Sequence, residues 1–311
     1  MVISLLVLGR AVPAWAADGS AVDEDLATAK AELGYLNFDK AADLFATVRA
    51  RSERGSVPWL QATFGQAVAV QQGTPATPER VTESAALYNE LIEAAPATPL
   101  AARSTMNLGR LAELSDYYQD RIDLPAARER YQAVVQTWPD DPIAGEATLR
   151  LAGSYIQTFN ADDVRTGIAV LEQWLASHPP QTEPLASAMH QYLGDTYFYP
   201  LGDLRKSLDA YMTADKVGWT DEADVGRVLW RIAVIADRVG DRDAAVRYYT
   251  KVITDAPTSG KPYEAQVALK RLGAPAPEIK LLRRRPTTAT AGEAPPTPTT
   301  GPSQGVAADA R

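Results

Sequence analysis

Between Leu229 and Pro257 the apolar residues recur three and four positions apart. Leu229, Ile232, Ala233 and Ala236 come first; after Gly240-Asp241 follow Ala245, Tyr249 and Val252. That spacing puts each set on one face of a helix. Gly240 accepts the left-handed backbone that ends a helix, Asp241 can cap the next one, and Pro257 stops it. The segment predicts two antiparallel helices and a tight turn, a unit of roughly 34 residues. Such a hairpin cannot bury its apolar face alone, so its neighbours are expected to repeat it.

The same order of residues runs through most of the chain. First helices carry the small residues of Phe64-Gly65, Leu108-Gly109, Ala152-Gly153 and Leu193-Gly194. Second helices carry a small residue, then a large one four positions on: Ala41 and Phe45, Ser84 and Tyr88, Ala127 and Tyr131, Gly167 and Leu171, Ser207 and Tyr211. The small residue lets two backbones approach, and the large one fills the adjacent gap. Insertions fall in turns, at Gly73 to Thr82 and Tyr118 to Leu124.

On these residues the chain resembles a tetratricopeptide repeat (TPR) protein from about Asp23 to Leu272, and it is similar to exported bacterial cell-envelope members of that family. The resemblance implies an all-α fold: a right-handed α-solenoid of about six hairpins with a closing helix near Pro262 to Leu272. Residues 17–272 would form the solenoid. It also implies a concave surface, lined by the first helices, that takes a protein or peptide partner.

Which side chains would line that surface follows from positions the packing pattern leaves free. They are Arg103, Asn107 and Arg110; Arg150, Ser154 and Gln157; Gln191, Asp195, Phe198 and Tyr199; and Arg227, Trp230, Arg231 and Arg238. Guanidinium groups make bidentate bonds to carboxylates and aromatics supply contact area, which suits an extended peptide or a partner helix. The alternative is that these arginines pair with Asp and Glu on adjacent hairpins. Asn107 with Arg110 and Arg150 resembles the clamp by which some TPR proteins hold a terminal carboxylate, although a Lys and a second Asn of that clamp are missing. Trp174, Tyr211, Tyr248 and Tyr249 fall in second helices and are assigned to packing.

Candidate chemistry is sparse. The net charge of -8 and pI of about 5.0 argue against nucleic acid, whose phosphates need a basic footprint. There is no Cys, which removes disulfides, thiolate metal sites and a lipidated cysteine anchor. Ser259-Gly260-Lys261 lacks the upstream glycine of a phosphate loop. His178 and His190, the two histidines, fit a helix end and a packing position rather than a metal site. The acid pairs Asp140-Asp141, Asp162-Asp163 and Asp221-Glu222 sit where helix caps belong. Neither enzyme activity nor a cofactor is expected.

The ends differ from the middle. Met1 to Leu8 is nearly all apolar and Ala14-Trp15-Ala16 resembles a cleavage site, so residues 1–16 read as a signal peptide and predict a periplasmic or secreted protein. The alternative is a plain flexible terminus. The run is too short to span a bilayer, and no transmembrane helix is expected. Residues 273–311 are rich in Pro, Thr and Ala and predict disorder. Between solenoid and tail, Ile279-Lys280-Leu281-Leu282-Arg283-Arg284-Arg285 reads either as the solvated basic end of a helix or as a docking element for an acidic partner or anionic lipid. The function expected is that of a non-catalytic scaffold or adaptor of the bacterial cell envelope. A self-assembling homo-oligomer and, further off, a peptidoglycan-active helical enzyme are the alternatives.

Overall fold

The structure is a computed structural model that describes residues 21–219 and 225–279. The expected signal peptide, the acid pair Asp221-Glu222 and the basic segment from Lys280 onward lie outside the described residues.

Thirteen helices and no strands occur among the described residues. They pair in chain order as α1 (Ala21–Gly34) with α2 (Phe38–Arg51), α3 (Val57–Gln72) with α4 (Pro78–Ala94), and α5 (Pro99–Glu113) with α6 (Leu124–Thr137). Next come α7 (Ile143–Ile156) with α8 (Ala161–Ser177), α9 (Ala186–Phe198) with α10 (Leu204–Val217), and α11 (Val225–Arg238) with α12 (Arg242–Thr254). The helix α13 (Pro262–Arg271) closes the stack. Six hairpins and a closing helix are the architecture the repeat pattern predicts.

Caps written in the sequence set the helix starts. Ser56, Thr77 and Thr98 each accept a bond from the backbone N–H three residues on, and a proline opens each of those helices. Asp123, Asp203 and Asp241 do the same for α6, α10 and α12. Of the expected acid pairs, Asp141 accepts from Ile143 N at 3.0 Å. Asp162 and Asp163 instead sit inside the first turn of α8, whose cap is Asn160. They favour the positive end of the helix dipole without capping it.

The core is a row of linked clusters, each built around a second helix. Phe45, Tyr88, Tyr131, Leu171 and Tyr211 are buried at its centres. The small-against-large rule is literal here. A methyl group on Gly65 would meet the Phe45 ring at 2.4 Å, and one on Gly109 would meet Tyr131 at 2.5 Å. One on Gly194 would meet Tyr211 at 2.8 Å.

Packing between hairpins is less even. The α8–α9 and α10–α11 joints are thin compared with α2–α3. Polar anchors hold the first of these. Glu183, buried in the turn before α9, accepts from Trp174 Nε1 at 2.7 Å and from Leu185 N at 2.9 Å, and Gly145 of α7 leaves it room. His178 stacks on Trp174 with ring centroids 3.6 Å apart, so it is a packing residue at a helix end, as its position predicts.

Gly194→Ala is expected to cost about 1–3 kcal/mol, because Tyr211 cannot retreat from a packed core. Gly34→Ala, which faces open space at the end of α1, is expected to be neutral or to add about 0.5–1 kcal/mol. Thermal unfolding followed by circular dichroism checks both.

Candidate partner-binding groove

The first helices α1, α3, α5 and α7 contact one another in turn, and the Asp195–Arg231 ion pair links α9 to α11. Four of the six second-helix core positions hold Tyr where Phe would pack equally well: Tyr88, Tyr131, Tyr211 and Tyr249. A buried phenol needs a partner for its hydroxyl. Each hydroxyl emerges between first helices and donates to a polar side chain there. Tyr88 donates to Gln71 at 2.7 Å, Tyr131 to Glu113 at 2.6 Å, Tyr211 to Asp195 at 2.5 Å and Tyr249 to Asp237 at 3.3 Å.

The next first helix then supplies a cation or amide. Asn107 donates to the Tyr88 hydroxyl at 3.0 Å, and Arg150 pairs with Glu113 at 3.3 Å. Arg231 pairs with Asp195 and also donates to the Tyr211 hydroxyl at 2.8 Å. Arg271 pairs with Asp237. Tyrosine, acid and guanidinium thus form a rung that repeats along the face and ties successive hairpins together. The ion pairs span 37, 36 and 34 residues, close to one repeat.

These rungs decide which expected groove residues are free. Arg150 is also bonded to Glu146 at 3.2 Å, so it is held twice. Asp195, Tyr199 and Arg231 come together, with the Arg231 guanidinium 5.5 Å from the Tyr199 ring and Phe198 edge-on to Tyr199. Trp230 packs on Tyr249 with centroids 5.4 Å apart and lies under Lys261. Ser154 is buried and receives Arg128 Nε at 3.3 Å, so it does not line an accessible face; its small side chain belongs to the helix contact. Gln157 is exposed at the end of α7, away from the rungs, and Arg227 is exposed at the start of α11. Gln191 is half-buried on α9.

Arg103 and Arg110 differ from Arg150 and Arg231. Arg103 is exposed and Arg110 half-buried, and neither makes an ion pair among the described residues. Arg110 stands close enough to Tyr88, Tyr131 and Asp116 to act on all three, yet its buried Nε has no hydrogen-bond partner.

Sequence reasoning missed the tyrosine hydroxyls and Tyr192. The Tyr192 hydroxyl would stand 3.3 Å from a methyl on Gly153, between the two central rungs. Burial, then the charges of Glu113 and Asp195, push it up to about 12. The available signal was tyrosine at a position where phenylalanine suffices.

Residues 227–259 match the family model of the tetratricopeptide repeat. That stretch, α11 with α12, therefore carries one repeat of the family. No curated protein matches its sequence. Among solved structures it is similar to PilF of Pseudomonas aeruginosa, with 16% identity, a TM-score of 0.50, and coverage of 80% of this chain and 97% of that one. It is also similar to the C-terminal part of a TPR repeat-containing protein from Cytophaga hutchinsonii. There the identity is 15%, the TM-score 0.54, and the coverage 80% of this chain and 87% of that one. At such identities the likeness shows the fold. No helix among the described residues is long and apolar enough to cross a membrane.

Two outcomes test the rungs. Tyr211→Phe keeps the ring on Gly194 and removes only the hydroxyl bonds, so urea unfolding is expected to show a loss of about 1–2 kcal/mol. Burial holds Tyr88, Tyr131, Tyr192, Tyr211 and Tyr249 above the ordinary value of about 10. The neutral phenols therefore stabilise the fold fully below about pH 10, and that stability is lost as the pH rises further and the unfolded chain ionises first. A near-ultraviolet titration is expected to show a late group of tyrosines, at or above about pH 12, ionising together with unfolding.

Proposed function

We propose that this TPR protein is a non-catalytic scaffold or adaptor that captures an extended peptide or a partner helix on its concave face. The observation that supports this is the contrast between guanidiniums. Arg150 and Arg231 are committed to the rungs, whereas Arg103 and Arg110 stay uncommitted beside Asn107 in an acidic chain. A desolvated guanidinium bonds well to a partner carboxylate, and the exposed Tyr199 adds contact area further along. TPR solenoids offer such a face by construction, since the first helices are not needed to cover one another.

We further propose that the protein works in the bacterial cell envelope after export. The support is the apolar run Met1 to Leu8 and the Ala14-Trp15-Ala16 pattern. Mass spectrometry of the protein purified from its source is expected to find a mature N-terminus near Ala17; an intact Met1 contradicts export.

The groove is tested by affinity capture of partners from a source lysate. Arg103→Gln with Arg110→Gln is expected to abolish capture while leaving the helicity unchanged. Arg150→Glu is expected to lower the melting temperature, because it breaks a rung and sets Glu against Glu113. Capture that survives the Arg103 and Arg110 exchange overturns the groove assignment.

A further inference from the structure

Large apolar side chains stand in solvent where the first helix turns into the second in the first, third and fourth hairpins. Leu36 is 69% exposed, Tyr118 90%, Ile122 55% and Phe159 75%. Leu36 and Phe159 also hold the left-handed backbone, with φ of 63° and 56°, in turns where other hairpins use Gly202 and Gly240. A bulky residue at such a position strains the backbone and gains no burial, so neither packing nor turn geometry accounts for it.

The third and fourth hairpins adjoin at this end of their helices. Arg128 of α6 joins them, bonding to the Ser154 carbonyl at 2.7 Å and to Asp163 at 3.1 Å. Around Tyr118, Ile122 and Phe159 this junction carries an excess of acid, with Asp116, Asp120, Asp123, Asp162 and Asp163 against Arg121, Arg128 and Arg165. Asp116 has a buried Oδ2 without a hydrogen-bond partner. Burial, and then Asp120, push its carboxyl up, and Arg110 offsets this only in part. The surface is apolar and carries a net negative charge. An anionic lipid surface would be repelled by it.

We propose that this fringe receives the basic and apolar segment Lys280 to Arg285 of a second copy of the chain. The segment reads Lys-Leu-Leu-Arg-Arg-Arg, with two apolar residues for the fringe and four cations for its carboxylates. The chain's own copy falls short. Ile279 packs against the last core cluster, and Gln266 of α13 bonds to the Pro277 carbonyl at 2.7 Å. Six further residues extend roughly 20 Å. From α13 to α7 are three steps between neighbouring first helices, about 27 Å at ordinary interhelical spacing. Binding to a second copy therefore joins two chains edge to tail, separately from capture in the groove.

An equal mixture of isotopically labelled and unlabelled full-length protein, treated with a zero-length carbodiimide cross-linker, tests this. Mass spectrometry is expected to find Lys280 joined to Asp116, Asp120 or Asp162 in products that carry both labels. Tyr118→Ser with Phe159→Ser, both at exposed turn positions, is expected to weaken self-association by at least about tenfold, the loss of an apolar anchor, with helicity unchanged. Arg283→Glu, Arg284→Glu and Arg285→Glu together are expected to do the same, read by sedimentation velocity. Cross-links confined to one label, an association untouched by either variant, or a strict monomer without cross-links overturns the proposal.

Discussion

Everything in this solenoid depends on a close approach: a large side chain of a second helix seated on a small residue of a first helix. Tyr131 against Gly109 and Tyr211 against Gly194 are the clearest cases. Where the contact is made, the helices of a hairpin pack at the density of a protein interior. Because the large residue is so often tyrosine, the same contact carries a hydroxyl through the core to polar side chains of the first helices. The packing residue and the groove residue are thus one side chain read at its two ends.

That coupling explains why the face is not a uniform cationic strip. A hydroxyl that emerges between first helices must be satisfied, and a carboxylate does this best. The carboxylate is then flanked by the guanidinium of the next hairpin. The rungs at Glu113 with Arg150 and Asp195 with Arg231 are half-buried and shared with tyrosine, so they are better organised than isolated surface pairs. The Asp195 rung also crosses the thin α10–α11 joint, where apolar contact alone is slight. The second helix α8 has Leu171 in place of tyrosine, and there the polar anchor is Glu183 in the following turn. Groove residues become available to a partner only where a rung is missing its acid, as at Arg110.

The hairpins were legible in the sequence because their signals are local. Apolar spacing, the Gly240-Asp241 break and the stop at Pro257 all act within a few residues. The groove was only partly legible. Its first-helix positions could be counted off the Gly and Ala anchors, and Asp195, Tyr199 and Arg231 do meet. The count could not tell that Arg150 and Arg231 are committed, since their partners lie a full repeat away and were visible only as acids at roughly that separation. Ser154 failed as a groove position because its hydroxyl turns back to Leu151 and Arg128. Tyr211 and Tyr249 were assigned to the core, which is right for their rings and silent about their hydroxyls.

The division of the first-helix guanidiniums into committed and uncommitted ones can be observed in a single measurement, the arginine side-chain Nε–Hε NMR spectrum of the protein before and after saturation with a captured partner. The Arg103 and Arg110 signals are expected to shift on binding, while those of Arg150 and Arg231 keep their positions. Shifts at Arg150 and Arg231 with Arg103 and Arg110 unmoved would contradict it.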